Sequence, residues 1–229
     1  MGTRTYGQFC GLARALELIG ERWGLLIVRD LILGPKRFTE LRRALPRIPT
    51  NVLTARLKDL EEKGVVRRRV VPRPGTSVVY ELTEYGQELR EIVLRLGLWG
   101  ARSLGNPRPD DILGLDSLIL ALQATFRPER ARGLHASYEL HIGPIVVHAR
   151  VIDGTLDVAA GPWPGADLVL ETGPALRGLM AGDISPAAAI ESGDVRITGN
   201  GDLLDRFVEC FHIPPKKGDS HLFTFNEKR

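Results

Sequence analysis

Two β-branched runs on either side of a turn cluster, placed directly behind a series of short apolar-periodic segments, constrain this chain most. Val65 to Val71 is interrupted by Arg67-Arg68-Arg69, Pro72-Arg73-Pro74-Gly75-Thr76-Ser77 is a turn cluster, and Val78-Val79-Tyr80-Glu81-Leu82 runs extended again. That pattern predicts a two-stranded ribbon with a basic tip. Ahead of it, Leu12, Leu16 and Ile19 fall on one helical face that stops at Gly20. Trp23 to Leu33 is apolar nearly all round and ends at Gly34-Pro35, as a central buried helix would. Phe38, Leu41 and Leu45 mark a third short helix. A fourth starts around Pro49-Thr50, turns Leu53, Leu57 and Leu60 inward and ends at Lys63-Gly64.

Helix, turn, helix and then a ribbon is the layout of winged-helix DNA readers, in which the second helix of the pair enters the major groove and the ribbon tip reaches the backbone or minor groove. Charge agrees with it. The 229 residues carry a net charge of only +3, but residues 1–104 hold 19 Lys and Arg against 11 Asp and Glu, while residues 105–229 hold 12 against 17. The halves are therefore +8 and −5, a polyanion-binding half joined to one that binds no polyanion. Arg richness overall carries no weight, since 25 of the 31 cations are Arg throughout the chain. Where the cations sit is what counts.

The residues Cys10-Gly-Leu-Ala-Arg-Ala-Leu-Glu-Leu-Ile-Gly-Glu-Arg-Trp23, Leu33-Gly-Pro35, Arg37-Phe-Thr-Glu-Leu41, Leu53-Thr-Ala-Arg-Leu57, Leu60-Glu61 and Gly64 resemble, in order, the HxlR family of bacterial winged-helix transcription regulators over residues 8–104. One departure is Ile48-Pro49-Thr50 where the family often reads Ile-Ser-Pro, which leaves the capping residue of the fourth helix open. The resemblance implies a dimer made through the terminal helices.

With Leu53, Leu57 and Leu60 inward, Thr50, Asn51, Thr54 and Lys58 occupy the other side of the fourth helix. Asn can pair bidentately with adenine, and Thr offers a hydroxyl and a methyl to a thymine edge. Lys58, Arg37 and Arg43 are the expected phosphate contacts and Arg73 the minor-groove contact. The plainer alternative, that Thr50 and Asn51 merely open a helix and the Arg run is a solvated face, is outweighed by the whole motif order. Arg56 lies nearer the buried stripe and is expected to pair with a carboxylate. After Thr83, a cap, Tyr85, Leu89, Ile92, Leu96 and Trp99 repeat at heptad spacing, which predicts a homodimer seam; the alternative is a helix docked on its own domain.

Gly105 to Asp110 reads as a linker, assigned to 105–112, and a second domain follows over 113–229. A helix is expected from Ile112 to Phe126. Alternation then marks strands at 137–142 and 145–151, and Asp153-Gly154 signals a hairpin. A strand at 168–172 precedes helices opened by Pro174 and by Ser185-Pro186, a short strand at 195–197 and an amphipathic helix through Leu204, Val208 and Phe211. The expected fold class is α+β: a winged helix, then an antiparallel sheet covered by helices. Asp153-Gly-Thr-Leu156, Gly178-Leu-Met-Ala-Gly-Asp-Ile-Ser-Pro186, Ile190-Glu-Ser-Gly193 and Ile197-Thr-Gly-Asn-Gly-Asp-Leu-Leu204 resemble the sterol carrier protein type 2 family over residues 113–213, with Gly199-Asn200-Gly201-Asp202 one turn longer than that family's Gly-Asp pair. That resemblance implies an enclosed apolar cavity and a small hydrophobic ligand.

No nucleophile elbow, phosphate loop or dinucleotide fingerprint occurs, so no enzyme activity and no cofactor are expected. If Gly143-Pro144 is a two-residue turn, Glu139 lies across from His148 on the face of His141 and Arg150. The His spacing fits no zinc signature, and a solvated face or an Arg and Glu pair is favoured; were that face to line a cavity, these groups would anchor a ligand's polar end. Cys10 sits where some HxlR-like proteins carry an oxidant-sensing cysteine, though a buried structural thiol is the favoured reading. No stretch is long and apolar enough to span a membrane, and two distant cysteines imply no disulfide framework. The expectation is a cytoplasmic dimeric regulator, a repressor, that binds double-stranded operator DNA and senses a small hydrophobe. The alternative makes the second domain a lipid-binding or assembly module, with Cys10 oxidation as the signal.

Overall fold

A computed structural model describes residues 5–72, 77–105, 107–108 and 110–216. Its chain contacts form two units, Met1–Val93 and Leu94–Arg229.

In the first unit, α1 (Gly11–Ile19) and α2 (Gly24–Leu31) precede a two-residue strand β1 (Lys36–Arg37), α3 (Phe38–Ala44) and α4 (Thr50–Glu62). The core takes the residues the periodicity selected: Ile27, Val28 and Leu31 from α2, Leu41 from α3, and Leu53, Leu57 and Leu60 from α4 are all buried. At about 25 cal/mol per Å² of apolar surface removed from water, each such Leu contributes roughly 1.5–3 kcal/mol. Pro49 is the N-cap of α4, with no side-chain cap, so helix entry rests on its fixed backbone. At the other end Lys63 Nζ donates to the carbonyls of Glu17 (2.8 Å) and Leu18 (3.2 Å) and meets Asp59 Oδ2 at 2.8 Å. A single ammonium thus caps the open end of α1 while it closes α4.

The hairpin pairs β2 (Val66–Val71) with β3 (Ser77–Leu82), in register from Val66 opposite Leu82 to Val71 opposite Ser77. β1 adds to the free edge of β3, giving the order β1-β3-β2. Arg73, at the expected tip, lies outside the described residues. Next come α5 (Glu84–Gln87) and α6 (Leu89–Ala101), where the sequence reads one helix; Glu88 between them keeps a right-handed helical backbone. Thr83 caps α5 by accepting the Gly86 N–H at 3.0 Å. Gly86 is obligatory, because a Cβ there would stand 2.1 Å from the Val65 carbonyl oxygen. The division between the units falls inside α6.

After the end of α6, the second unit continues with α7 (Leu115–Thr125), shorter than expected, with Ile112 and Leu113 exposed ahead of it. Strands β4 (His135–Ile142), β5 (Ile145–Ile152) and β6 (Thr155–Ala160) form an antiparallel meander, followed by β7 (Leu168–Thr172), α8 (Ala175–Ala181), α9 (Pro186–Glu191), β8 (Val195–Gly199) and α10 (Asp202–Cys210). Asp153 and Gly154 both take positive φ (44° and 80°), as a two-residue hairpin turn requires. The strand order is β6-β5-β4-β7-β8.

The antiparallel expectation fails at one pair. β7 lies beside β4 and parallel to it, with Tyr138 opposite Leu168. Its cause is the path of residues 161–167, which leave the edge strand β6 and reach the far side of β4. β6 already runs parallel to β4, and β7 takes up that direction again. Alternation reveals strands but not such a crossing. One face of the sheet, with Ala136, Tyr138, Leu140, Val147, Ala149, Val151, Leu168 and Leu170, is buried. Tyr138 meets the Phe207 ring edge-on at 5.4 Å, and Phe207 stacks on Phe211 at 4.5 Å.

Candidate nucleic-acid interface

A helix can read bases only with side chains that its own core leaves free. Thr50, Asn51, Thr54, Ala55 and Lys58 are exposed on α4, opposite the buried leucines. Ala55, which the sequence reading passed over, stands among them and keeps that surface low. Thr54 Oγ1 donates to the Thr50 carbonyl at 3.0 Å, so its methyl rather than its hydroxyl proton is available outward. Lys58 meets Glu62 at 3.5 Å, a solvated pair of little strength that a phosphate would displace. Arg43 is exposed in the last turn of α3; Arg37 is exposed at the end of β1, and its backbone N–H donates to Glu40 Oε2 at 2.6 Å, fixing the start of α3. Arg56 pairs with Glu21 (3.3 Å) and Asp59 (3.6 Å), as its place beside the buried stripe implied.

The hairpin arginines divide by strand parity. Arg67 Nε lies 2.7 Å from Glu81 Oε1, and Arg69 grips the same carboxylate through Nε (3.0 Å) and Nη2 (2.9 Å). Arg68 projects to the opposite face. Arg69 above all, with Arg67, holds the Glu81 carboxyl below the usual carboxylate range despite its burial. Two of the three arginines therefore share one carboxylate and keep a single net positive charge between them, which counting charges along the chain could not reveal. The cross-strand register of Glu81 and Arg67 was the one available signal.

Of the expected dimer residues, Tyr85, Ile92, Leu96 and Trp99 are exposed and Leu89 half-buried; α6 buries none of its residues. On α1, Leu12 and Leu16 are exposed too, next to Phe9. Cys10 corrects an expectation: it is exposed, not buried. Its thiol pKa is lowered by the backbone N–H groups of Ala13 and Leu12 at the start of α1. Arg14, one turn further along α1, is paired with Glu17 at 3.1 Å.

In the second unit Glu139 lies opposite His148, as the two-residue turn required. Glu139 accepts from the Trp163 N–H (2.6 Å) and lies 2.6 Å from His141 Nε2; burial opposes its charge, but these partners outweigh that and keep its carboxyl low. His148 packs against Trp163 at 5.0 Å, and the Arg150 guanidinium lies over the same ring at 4.6 Å. Glu139, His141, His148 and Arg150 thus sit under the crossing segment, on the face opposite Tyr138 and the buried apolar residues. No group of three or more His, Cys, Asp or Glu that could hold a metal occurs among the described residues. Nor is any described helix long and apolar enough to cross a membrane.

A helix pair with an outward polar face, followed by a hairpin, defines a helix-turn-helix regulator. The comparisons with known proteins agree. The HxlR-like helix-turn-helix family matches residues 18–107. YdeP of Bacillus subtilis (strain 168), an HTH-type transcriptional regulator, is 37% identical over 93 residues, 41% of this chain and 73% of YdeP. YodB, an HTH-type transcriptional regulator of the same organism, is 40% identical over 85 residues, 37% of this chain and 76% of YodB. The structure of reduced YodB from B. subtilis is 36% identical, covering 42% of this chain and 94% of that one, with a TM-score of 0.38. This chain belongs to the HxlR-like helix-turn-helix family of transcriptional regulators.

Proposed function

We infer that the protein binds operator DNA as a homodimer, with α4 in the major groove, and that an apolar small molecule in the second unit changes that affinity. The exposed α4 face of Thr50, Asn51, Thr54 and Lys58, set against a fully buried opposite face, carries the DNA-binding reading. Arg37 and Arg43 flank it as phosphate contacts, and Arg73 keeps the minor-groove role that the sequence assigns to it. Association through Tyr85, Leu89, Ile92, Leu96 and Trp99 is supported by a thirteen-residue helix that buries none of its own side chains. Repression is the expected outcome of such binding.

Within the second unit, over residues 113–213, the sterol carrier resemblance supports a hydrophobic ligand. So does the Tyr138 hydroxyl: buried on the sheet's apolar face, it has no hydrogen-bond partner among the described residues, and its pKa is pushed upward by burial. A ligand's polar end would satisfy it. Regulation then requires that ligand to bind the DNA-competent and DNA-incompetent states with different affinity.

Selection of bound duplexes from a random pool tests the DNA and dimer readings together. Enrichment of two half-sites spaced about 10 base pairs or a multiple apart is expected; a single unrepeated site would sink the dimer. Native mass spectrometry for a co-purified hydrophobe, then gel shifts with and without it, tests the sensor. A second reading makes the last domain an assembly module and Cys10 the sensor, supported by the exposure and lowered pKa of that thiol. Alkylation of Cys10 with DNA binding unchanged would remove it.

A further inference from the structure

We propose that a cleft beside α4, bounded by Arg22, Trp23, Arg47, Pro49, Val52 and Arg56, seats one backbone phosphate of the DNA duplex. This rests on the reading of α4 as the major-groove helix. The cleft has a volume of about 300 Å³ and belongs wholly to the first unit.

Its place follows from the helix itself. A helix about 10–12 Å across fills a major groove about 12 Å wide, so a strand of phosphates must pass along each flank. On α4, Pro49, Val52 and Arg56 form the flank adjoining Asn51 and Ala55. With Asn51 turned toward the bases, one strand runs past this cleft.

The chemistry of the walls selects the occupant. Three guanidinium groups line the cleft, while Glu21 and Asp59 stand against Arg56. Arg56 is therefore a wall, anchored by its carboxylates. Its Nε is buried with no acceptor among the described residues, leaving one donor unmet. Arg22 is held ready: its guanidinium carbon lies 5.2 Å from the centre of the Trp23 ring. Trp23 in turn takes φ +79°, a left-handed conformation that a bulky residue adopts only at a cost on the order of 1 kcal/mol or more. Arg47, exposed in the segment leading into α4, closes the opposite rim.

The test measures affinity of the full-length protein for a random-sequence duplex across a series of salt concentrations, so no operator is needed. Arg22→Gln and Arg47→Gln should each weaken binding several-fold and lower the salt slope by about one. Because both serve one phosphate, the double variant should lose about one in total, not two. Arg47→Lys should keep most of the slope, whereas a structural role would not follow charge. Unchanged slopes in folded Gln variants, with Lys58→Gln still lowering the slope, overturn the seat and leave the α4 reading intact. A wild-type protein without salt-dependent duplex binding overturns both. Inorganic phosphate at millimolar concentration should not compete; if it does, the cleft is a free-anion site and the proposal fails.

Discussion

α4 and α6 are both thirteen residues long, and they are built for opposite surroundings. α4 buries Leu53, Leu57 and Leu60 and presents Thr, Asn and Lys outward. α6 buries nothing and presents Ile92, Leu96 and Trp99, with Trp99 66% exposed. The hydrophobic period that finds a helix is the same in both. What separates them is whether the apolar stripe is covered by other described residues. A covered stripe makes its helix a platform for polar chemistry on the other side. An uncovered one makes the helix itself the unfinished surface.

Substitutions on these helices sharpen the contrast. Leu57→Ala, at a fully packed site of α4, should destabilise the fold by about 2–5 kcal/mol in chemical denaturation; a small loss would mean that the α4 core is loosely packed. Asn51→Ala should leave stability unchanged yet cost about 1–3 kcal/mol of operator binding and relax preference at one base position, read by gel shift. Leu96→Glu on α6 should alter unfolding of the isolated protomer by about 0.5 kcal/mol at most, while shifting sedimentation from dimer to monomer at micromolar concentration. A dimer that survives the glutamate would locate the interface elsewhere.

The smallest effect concerns the hairpin. The Glu81 carboxyl is held low by Arg69 and Arg67, so its contribution to stability is fully present above the ordinary Glu value of about 4.3. It is lost as pH falls through the lowered value. Thermal melts of wild type and Glu81→Gln should therefore differ at neutral pH and converge in acid. A constant gap would mean that the carboxylate charge is not what matters. At neutral pH the same variant releases two guanidinium groups and should raise affinity for random duplex.

Much of this was legible in the chain. Buried leucines at helical spacing, the Thr83 cap, the Asp153-Gly154 turn and the opposition of Glu139 to His148 all follow from periodicity and turn chemistry, which are local. What escaped is what depends on partners distant in sequence. Lys63 reads as a helix end, yet it also caps α1. Cys10 reads as buried, yet it is exposed, and α1 begins under it and supplies the N–H groups. Arg22 and Arg47 look like ordinary loop cations until the fold brings them to one cleft. The parallel pairing of β7 depends on a segment crossing two strands, and no pattern of alternation records a crossing.

That crossing also orders the birth of the second unit. Because β4 is central but emerges from the ribosome long before its neighbour β7, the β4–β5–β6 meander can close first while one edge of β4 stays bare, its amides and carbonyls unclaimed. Until residue 172 is free of the exit tunnel, a hydrophobic central strand is in effect an edge strand. During synthesis the segment carrying Trp163 closes one face of the nascent sheet, but only β7 can close its side.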